Sequence, residues 1–184
     1  NAISLRPEWA EVHHNLATIL IKLKKFKEGW NQFEWRWLIG NLKGSDSKRL
    51  KTSKPEWDPQ FRGRVLLWAE QGIGDEIFYA SIIPELLEKV DHLIVKTDRR
   101  LIPLFRRSFN QNIVYVNKDD FVDEDNYDFQ IAMGSLPKIF RETEESFERV
   151  PKKYLKVDDI KTSNIRNKIK NSKCKKIVGI SWKT

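Results

Sequence analysis

The sequence predicts an α/β protein: a parallel sheet wound with helices, preceded by a helical hairpin. Three observations carry this. Short apolar runs such as Val65–Ala69 and Leu93–Val95 alternate with segments whose apolar residues recur every three or four positions, which is the order of a doubly wound parallel sheet. The first run passes through two glycines into an acidic pair, Gly72-Ile73-Gly74-Asp75-Glu76, the succession of a strand, a tight turn and a helix start. Residues 1–38 hold no such run and show helical spacing throughout.

In the first segment, Pro7 suits a helix start, and Glu8 and Glu11 suit its positive end. Val12, Leu16, Ile19, Leu20 and Leu23 share a face. After Lys24-Lys25, a second helix carries Phe26, Trp30, Phe33 and Trp37. Two amphipathic helices and a tight turn form an αα-hairpin, which buries little alone and implies neighbours. His13 and His14 are adjacent, face different ways and have no Cys or acidic partner at metal-ligand spacing, so packing or surface roles are expected. Residues 39–64 are rich in Gly, Ser, Pro and Lys, as in a linker or an ordered wrap. Trp57 is the aromatic anchor that would pin it.

From Arg64 onward the period changes. Val65–Ala69 reads as a strand buried on both faces. Asp75–Val90 reads as a helix kinked or split by Pro84. His92–Thr97 is a second strand, Arg99–Phe109 a helix and Asn112–Val116 a third strand. Residues 117–126 form an acidic loop. Tyr127–Met133 is a fourth strand, ending in the loop Gly134-Ser135-Leu136-Pro137. A charged, weakly helical stretch follows, then a short extended Tyr154–Val157, a polar helix over 158–170 and a buried strand over 176–182.

The net charge of +8 raises nucleic acid as a partner. The lysines, however, are dispersed over 22–27, 48–54 and 161–176, with no interleaved aromatics. Solvated faces are the expectation, with at most a field that steers a phosphorylated substrate. No apolar run approaches the roughly 20 residues of a membrane span, and no signal-peptide pattern is present. A single cysteine, Cys174, excludes an internal disulfide framework and fits a reducing, cytoplasmic setting. Cys174 is expected to be structural. The chain starts on Asn1 and stops soon after an apolar run, so it is expected to be a piece of a longer protein.

The glycine turn has two chemical readings. As a dinucleotide loop it supplies Gly72 and Gly74, with Asp98 at the end of the second strand. Against this, Ile77 stands where a third glycine belongs, and Asp75 and Glu76 place negative charge where a pyrophosphate needs free N–H groups. As a functional carboxylate, Asp75 can take a proton from a sugar hydroxyl; equally, Asp is a preferred N-cap, and the two roles are compatible. Arg99 and Arg100 read as helix-start charges.

Two resemblances add to this. Pro7-Glu8-Trp9-Ala10-Glu11-Val12-His13-His14-Asn15-Leu16-Ala17, then Phe26-Lys27-Glu28-Gly29 and Phe33, resemble a tetratricopeptide repeat. The departures are Ala17 for glycine, Gly29 for alanine and Arg36 for a small residue, which suits a last, capping repeat. The second rests on Trp68-Ala69-Glu70-Gln71-Gly72-Ile73-Gly74-Asp75-Glu76-Ile77, Ile83-Pro84, Gly134-Ser135-Leu136-Pro137, Pro151 with Tyr154-Leu155, and Val178-Gly179-Ile180-Ser181-Trp182. In that order they resemble tetratricopeptide-repeat proteins of bacteria whose C-terminal domain is similar to heptosyltransferases, of the GT-B glycosyltransferase fold.

The resemblance implies a last repeat hairpin over 1–39, a linker over 40–63, the Rossmann-like N-terminal half of the transferase over 64–171, and the opening strand of a second half over 172–184. It implies inverting, metal-independent transfer from a nucleotide sugar to a sugar or protein acceptor, with no cofactor. Asp75 maps to the proposed base. Gly72, Gly74, Glu76, Gly134 and Ser135 map to the substrate loops, and Lys183 and Thr184 to the start of the donor side. A chain lacking the donor half is expected to be inactive alone. The alternative is a non-catalytic interaction protein: a repeat array that binds a protein partner, joined to a degenerate GT-B domain. Neither reading includes nucleic acid or a membrane span.

Overall fold

The computed structural model describes residues 2–39, 49–109, 112–170, 178 and 180. The chain begins with α1 (Ala2–Leu5), α2 (Ala10–Lys22), α3 (Phe26–Phe33) and α4 (Arg36–Ile39). Helices α2 and α3 pack closely as a hairpin. The turn between them is a Schellman closure: Lys25 N–H donates to Leu20 O at 2.9 Å and Lys24 N–H to Ile21 O at 3.0 Å, which satisfies the carbonyls a helix end leaves free. Lys24 has φ 60° there, a left-handed position that glycine usually fills. His13 lies stacked on Trp35, with its ring nitrogens 2.6 Å from Gln32 Oε1 and Pro7 O. It is a packed residue, in keeping with the expectation from sequence.

The sheet consists of β1 (Arg64–Trp68), β2 (His92–Thr97), β3 (Ile113–Asn117) and β4 (Phe129–Ala132), all parallel, in the order β3-β2-β1-β4. The α/β class and the parallel sheet therefore stand as the sequence predicts. Between the strands run α5 (Ile73–Tyr79), α6 (Ile83–Leu87) and α7 (Ile102–Ser108), with α8 (Leu136–Phe140) after β4. The helix expected over 75–90 is split: a 3-10 turn at Ala80–Ile82 separates α5 from α6, and Pro84 falls in the first turn of α6, where its missing N–H costs nothing. The closing α9 (Asp159–Lys170) is capped by Asp158, whose Oδ1 accepts from Lys161 N–H at 2.9 Å.

The two faces of the sheet are covered differently. Val65, Leu67, Leu93, Val95 and Ile131 point to one face, where Ile83, Leu86, Phe105 and Leu136 from α6–α8 seal the main core. Tyr154 and Leu155 pack on this core as coil rather than as the extended segment expected, and the Tyr154 hydroxyl donates to Ile77 O. Leu66 and Ile94 point to the other face and are met by Tyr127, Val122 and Leu50. Among the described residues no helix of the α/β unit lies there. The β3–β4 connection crosses that face with only a 3-10 turn at Glu124–Asn126, so the second layer of a doubly wound sheet is built from coil.

Residues 49–63 are no loose linker. Trp57 is buried in the main core, stacks near Phe140 and donates its indole N–H to Phe61 O. Glu56 bridges Gln130 in parallel fashion, with Gln130 N–H donating to Pro55 O and Trp57 N–H to Gln130 O. The wrap thus covers the free edge of β4, which would otherwise offer unpaired peptide groups. The strand expected over 176–182, Cys174, Lys183 and Thr184 lie outside the described residues, apart from Val178 and Ile180. No described helix is long and apolar enough to cross a membrane.

Candidate functional site at the carboxyl edge of the sheet

The loops that leave β1 and β4 meet at the carboxyl edge. With strand order 3-2-1-4, the crevice between β1 and β4 is the topological switch point, the usual ligand position in open α/β sheets. In this chain a side chain from the helical segment fills it. Arg36 is buried, with Nη2 3.2 Å from Glu70 Oε1 and 2.8 Å from Ser135 Oγ, and Nη1 2.6 Å from Glu34 Oε1. Ser135 Oγ in turn donates to Glu34. Glu70 Oε1 also accepts from Gly134 N–H at 3.0 Å. A Cβ on Gly134 would lie 2.3 Å from that oxygen, so the close approach requires glycine. Burial pushes the Glu70 carboxyl above its usual range, against the pull of the Arg36 charge.

The Gly134–Ser135 loop therefore belongs to the joint between helices and sheet, not to a shared open cleft with Gly72. Ser135 lines a small cavity of about 210 Å³ beside Trp37 and Gln130. The joint is completed by Trp37 against Trp68, and by Trp30, whose indole N–H donates to Arg141 O at 2.8 Å.

On the β1 side, Gly72 is extended (φ −72°, ψ 165°) and caps α5, its carbonyl accepting from Glu76 N–H. Asp75 lies in the first turn, so the N-cap reading of Asp75 is corrected: the cap is Gly72. Asp75 is exposed and has no hydrogen bond or ion pair among the described residues. Its charge is favourable near a helix N-terminus. Gly72 and Gly74 are exposed beside it, and a Cβ on Gly74 would meet nothing within 4 Å.

Glu76 turns the other way. Its side chain is 1% exposed, and it accepts from the Thr97 hydroxyl and from Asp98 N–H at 2.8 Å, with Lys118 Nζ 3.9 Å away. It fastens α5 to the end of β2 and does not line a substrate surface. Asp98, the acid a dinucleotide loop would use on a ribose, is held by Arg100 through Nε and Nη2 at 2.9 Å each. That guanidinium keeps the Asp98 carboxyl well below the usual carboxylate range. With Asp98 engaged and no third glycine, the dinucleotide reading fails on both counts.

An open cleft of about 550 Å³ lies next to the plugged switch point, on the face of the sheet that carries Leu66 and Trp68. Trp68, Ala69 and Glu70 form one side with Gln71 and Gly72; Lys96 and Lys118 rise from the ends of β2 and β3; Arg49, Leu50 and Lys51 close it from the wrap. Sequence reasoning missed Glu70, Arg36, Lys96 and Lys118. Two of them left signals: Arg36 breaks the repeat pattern where a small residue is usual, and Lys96 is a charge directly after the apolar run Leu93–Val95, one step from the carboxyl end of its strand.

No protein-family model matches the sequence, and no solved structure matches it. Among curated proteins, the chain is similar to Protein FlbA of Caulobacter vibrioides, with 29% identity over 187 residues. The alignment covers 91% of this chain and 30% of FlbA, so the chain spans under a third of that relative's length.

Proposed function

We propose that the chain forms the acceptor-side half of a GT-B-type glycosyltransferase, joined to a tetratricopeptide-type hairpin over 1–39. Residues 64–171 make the Rossmann-like unit, braced by the wrap over 49–63, and 172–184 open a donor-binding half. One observation carries the reading: Asp75 is an exposed carboxylate with no hydrogen bond or ion pair among the described residues, in the first helical turn after Gly72, at the carboxyl edge of an all-parallel sheet. Gly72 and Gly74 leave the space around it bare although packing does not require this of Gly74, as a loop approached by a ligand would.

In this reaction the Asp75 carboxylate takes the proton of an acceptor hydroxyl. The oxygen attacks the anomeric carbon of a nucleotide sugar from the face opposite the leaving group, and the nucleotide phosphate departs with the bonding pair. Arg36 and Glu70 hold the loop two residues before Gly72 and so fix where Asp75 stands. In a chain that continues past Thr184 into a donor half, Asp75→Asn abolishes turnover and leaves the fold unchanged. A wild-type rate in that variant would remove Asp75 from the mechanism.

A second reading has its own observation. The helical segment inserts Arg36 and Trp37 at the switch point, where a ligand usually sits. That favours an interaction protein whose repeats bind a protein partner and whose sheet unit is a docked scaffold. Nucleotide-sugar binding separates the two readings.

A further inference from the structure

We infer that the open cleft beside Trp68 and Glu70 binds a small sugar phosphate, with Lys51 and Lys96 as its phosphate ligands. This goes beyond the transfer reaction and does not depend on it, since Asp75 is not among the cleft's lining residues.

The charge is the first argument. Four cations, Arg49, Lys51, Lys96 and Lys118, face two carboxylates, Glu70 and Asp119. Lys96 pairs with Val116 across the β2–β3 register, so Lys96 and Lys118 leave the same face of the sheet at its carboxyl edge. Lys118 is tethered by Asp98 at 3.6 Å and Glu76 at 3.9 Å, and the Arg49 guanidinium lies over the Trp37 ring. Both are thereby positioned but partly engaged. Lys51 and Lys96 have no ion pair or side-chain hydrogen bond among the described residues. Two uncommitted ammonium groups in a concave site suit a phosphate, which Lys binds as a point charge.

The second argument is independent. Glu70 lines the cleft, its side chain is 1% exposed, and its Oε2 has no hydrogen-bond partner among the described residues. Buried polar atoms without a partner are rare and costly, and a ligand hydroxyl would supply the missing donor. Beside it, the Gln71 amide offers both a donor and an acceptor. A phosphate on one side and hydroxyls on the other describe a sugar phosphate. The volume of about 550 Å³ is within the usual range for small-molecule sites, and the concave outline does not suit a nucleic-acid backbone.

The test is calorimetric titration of the 184-residue chain with ribose 5-phosphate, with ribose and inorganic phosphate as separate arms. Ribose 5-phosphate is expected to bind more tightly than either, and to weaken as salt is raised. Lys51→Ala with Lys96→Ala is expected to weaken it at least about tenfold. Lys51→Glu, at an exposed position that leaves packing intact, is expected to do the same if the double variant misfolds. Asp75→Asn and Lys161→Ala are expected to leave binding unchanged. Absence of binding, equal binding of inorganic phosphate, or no response to either cleft variant would overturn the assignment. Those failures would leave the transferase reading standing, and loss of turnover in Asp75→Asn with sugar-phosphate binding retained separates the two.

Discussion

Arg36→Ala tests the joint between the helical segment and the sheet. The substitution removes the guanidinium that faces Glu70, Glu34 and Ser135, and also its stacking on Phe33 and Trp37 at 4.7 and 4.1 Å. It leaves the Glu70 carboxylate buried, still accepting from the Gly134 N–H. Removing one partner of a buried ion pair costs about 3–5 kcal/mol, a large part of the stability of an ordinary domain. The cost depends on pH. Burial already raises the Glu70 pKa above its ordinary 4.5. A carboxyl raised on folding favours the folded state below its unfolded pKa, and that contribution is lost as pH rises through the folded value. Without Arg36 the upward shift grows, so the penalty is greatest at neutral pH and shrinks on acidification toward the unfolded pKa. Urea unfolding followed by circular dichroism at about pH 7.5 and about pH 5 measures both quantities. Arg36→Met combined with Glu70→Gln keeps an acceptor for Gly134 N–H and recovers most of the loss, because an apolar replacement of a buried pair is often neutral. A cost under about 1 kcal/mol, the worth of an exposed pair, with no pH dependence, would refute the reasoning.

The remaining predictions concern the glycines, the wrap and the hairpin turn. Gly134→Ala forces Glu70 aside and costs about 1–3 kcal/mol by overpacking, whereas Gly74→Ala enters open space in a helix and stabilises by about 0.5–1 kcal/mol; thermal unfolding of the two variants ranks them. Trp57→Ala empties a core site under the wrap and costs about 3–5 kcal/mol in urea, with loss of protease resistance in residues 49–63. Lys24→Gly relieves the left-handed strain at the α2 terminus and raises stability by about 0.5–1 kcal/mol, seen as a higher midpoint in the same assay.

The strands and the hairpin are legible in the sequence because burial leaves a local pattern: a strand buried on both faces reads as a continuous apolar run, as in Val65–Trp68, and a helix face as the spacing of Val12–Leu23. The glycine turn is legible for the same local reason. What escapes is set by distance along the chain and by direction in space. Arg36 meets Glu70 and Ser135 across 34 and 99 residues, and no local pattern links them. Asp75 and Glu76 read as one acidic pair, yet successive helix residues point roughly 100° apart, so one reaches solvent and the other is buried against Thr97. The cap falls on Gly72 rather than Asp75 because the helix starts three residues earlier than its acidic end suggests. The wrap is rich in Gly, Ser and Pro, and only its contact with β4 distinguishes it from a linker.

The transferase reading meets its most direct test in calorimetric titration of a panel of nucleotide sugars into a chain extended through its donor half. Micromolar binding of one nucleotide sugar, followed by nucleotide release that disappears in Asp75→Asn, is the predicted result. A folded protein that binds none of the panel would contradict glycosyl transfer and leave the scaffold reading in its place.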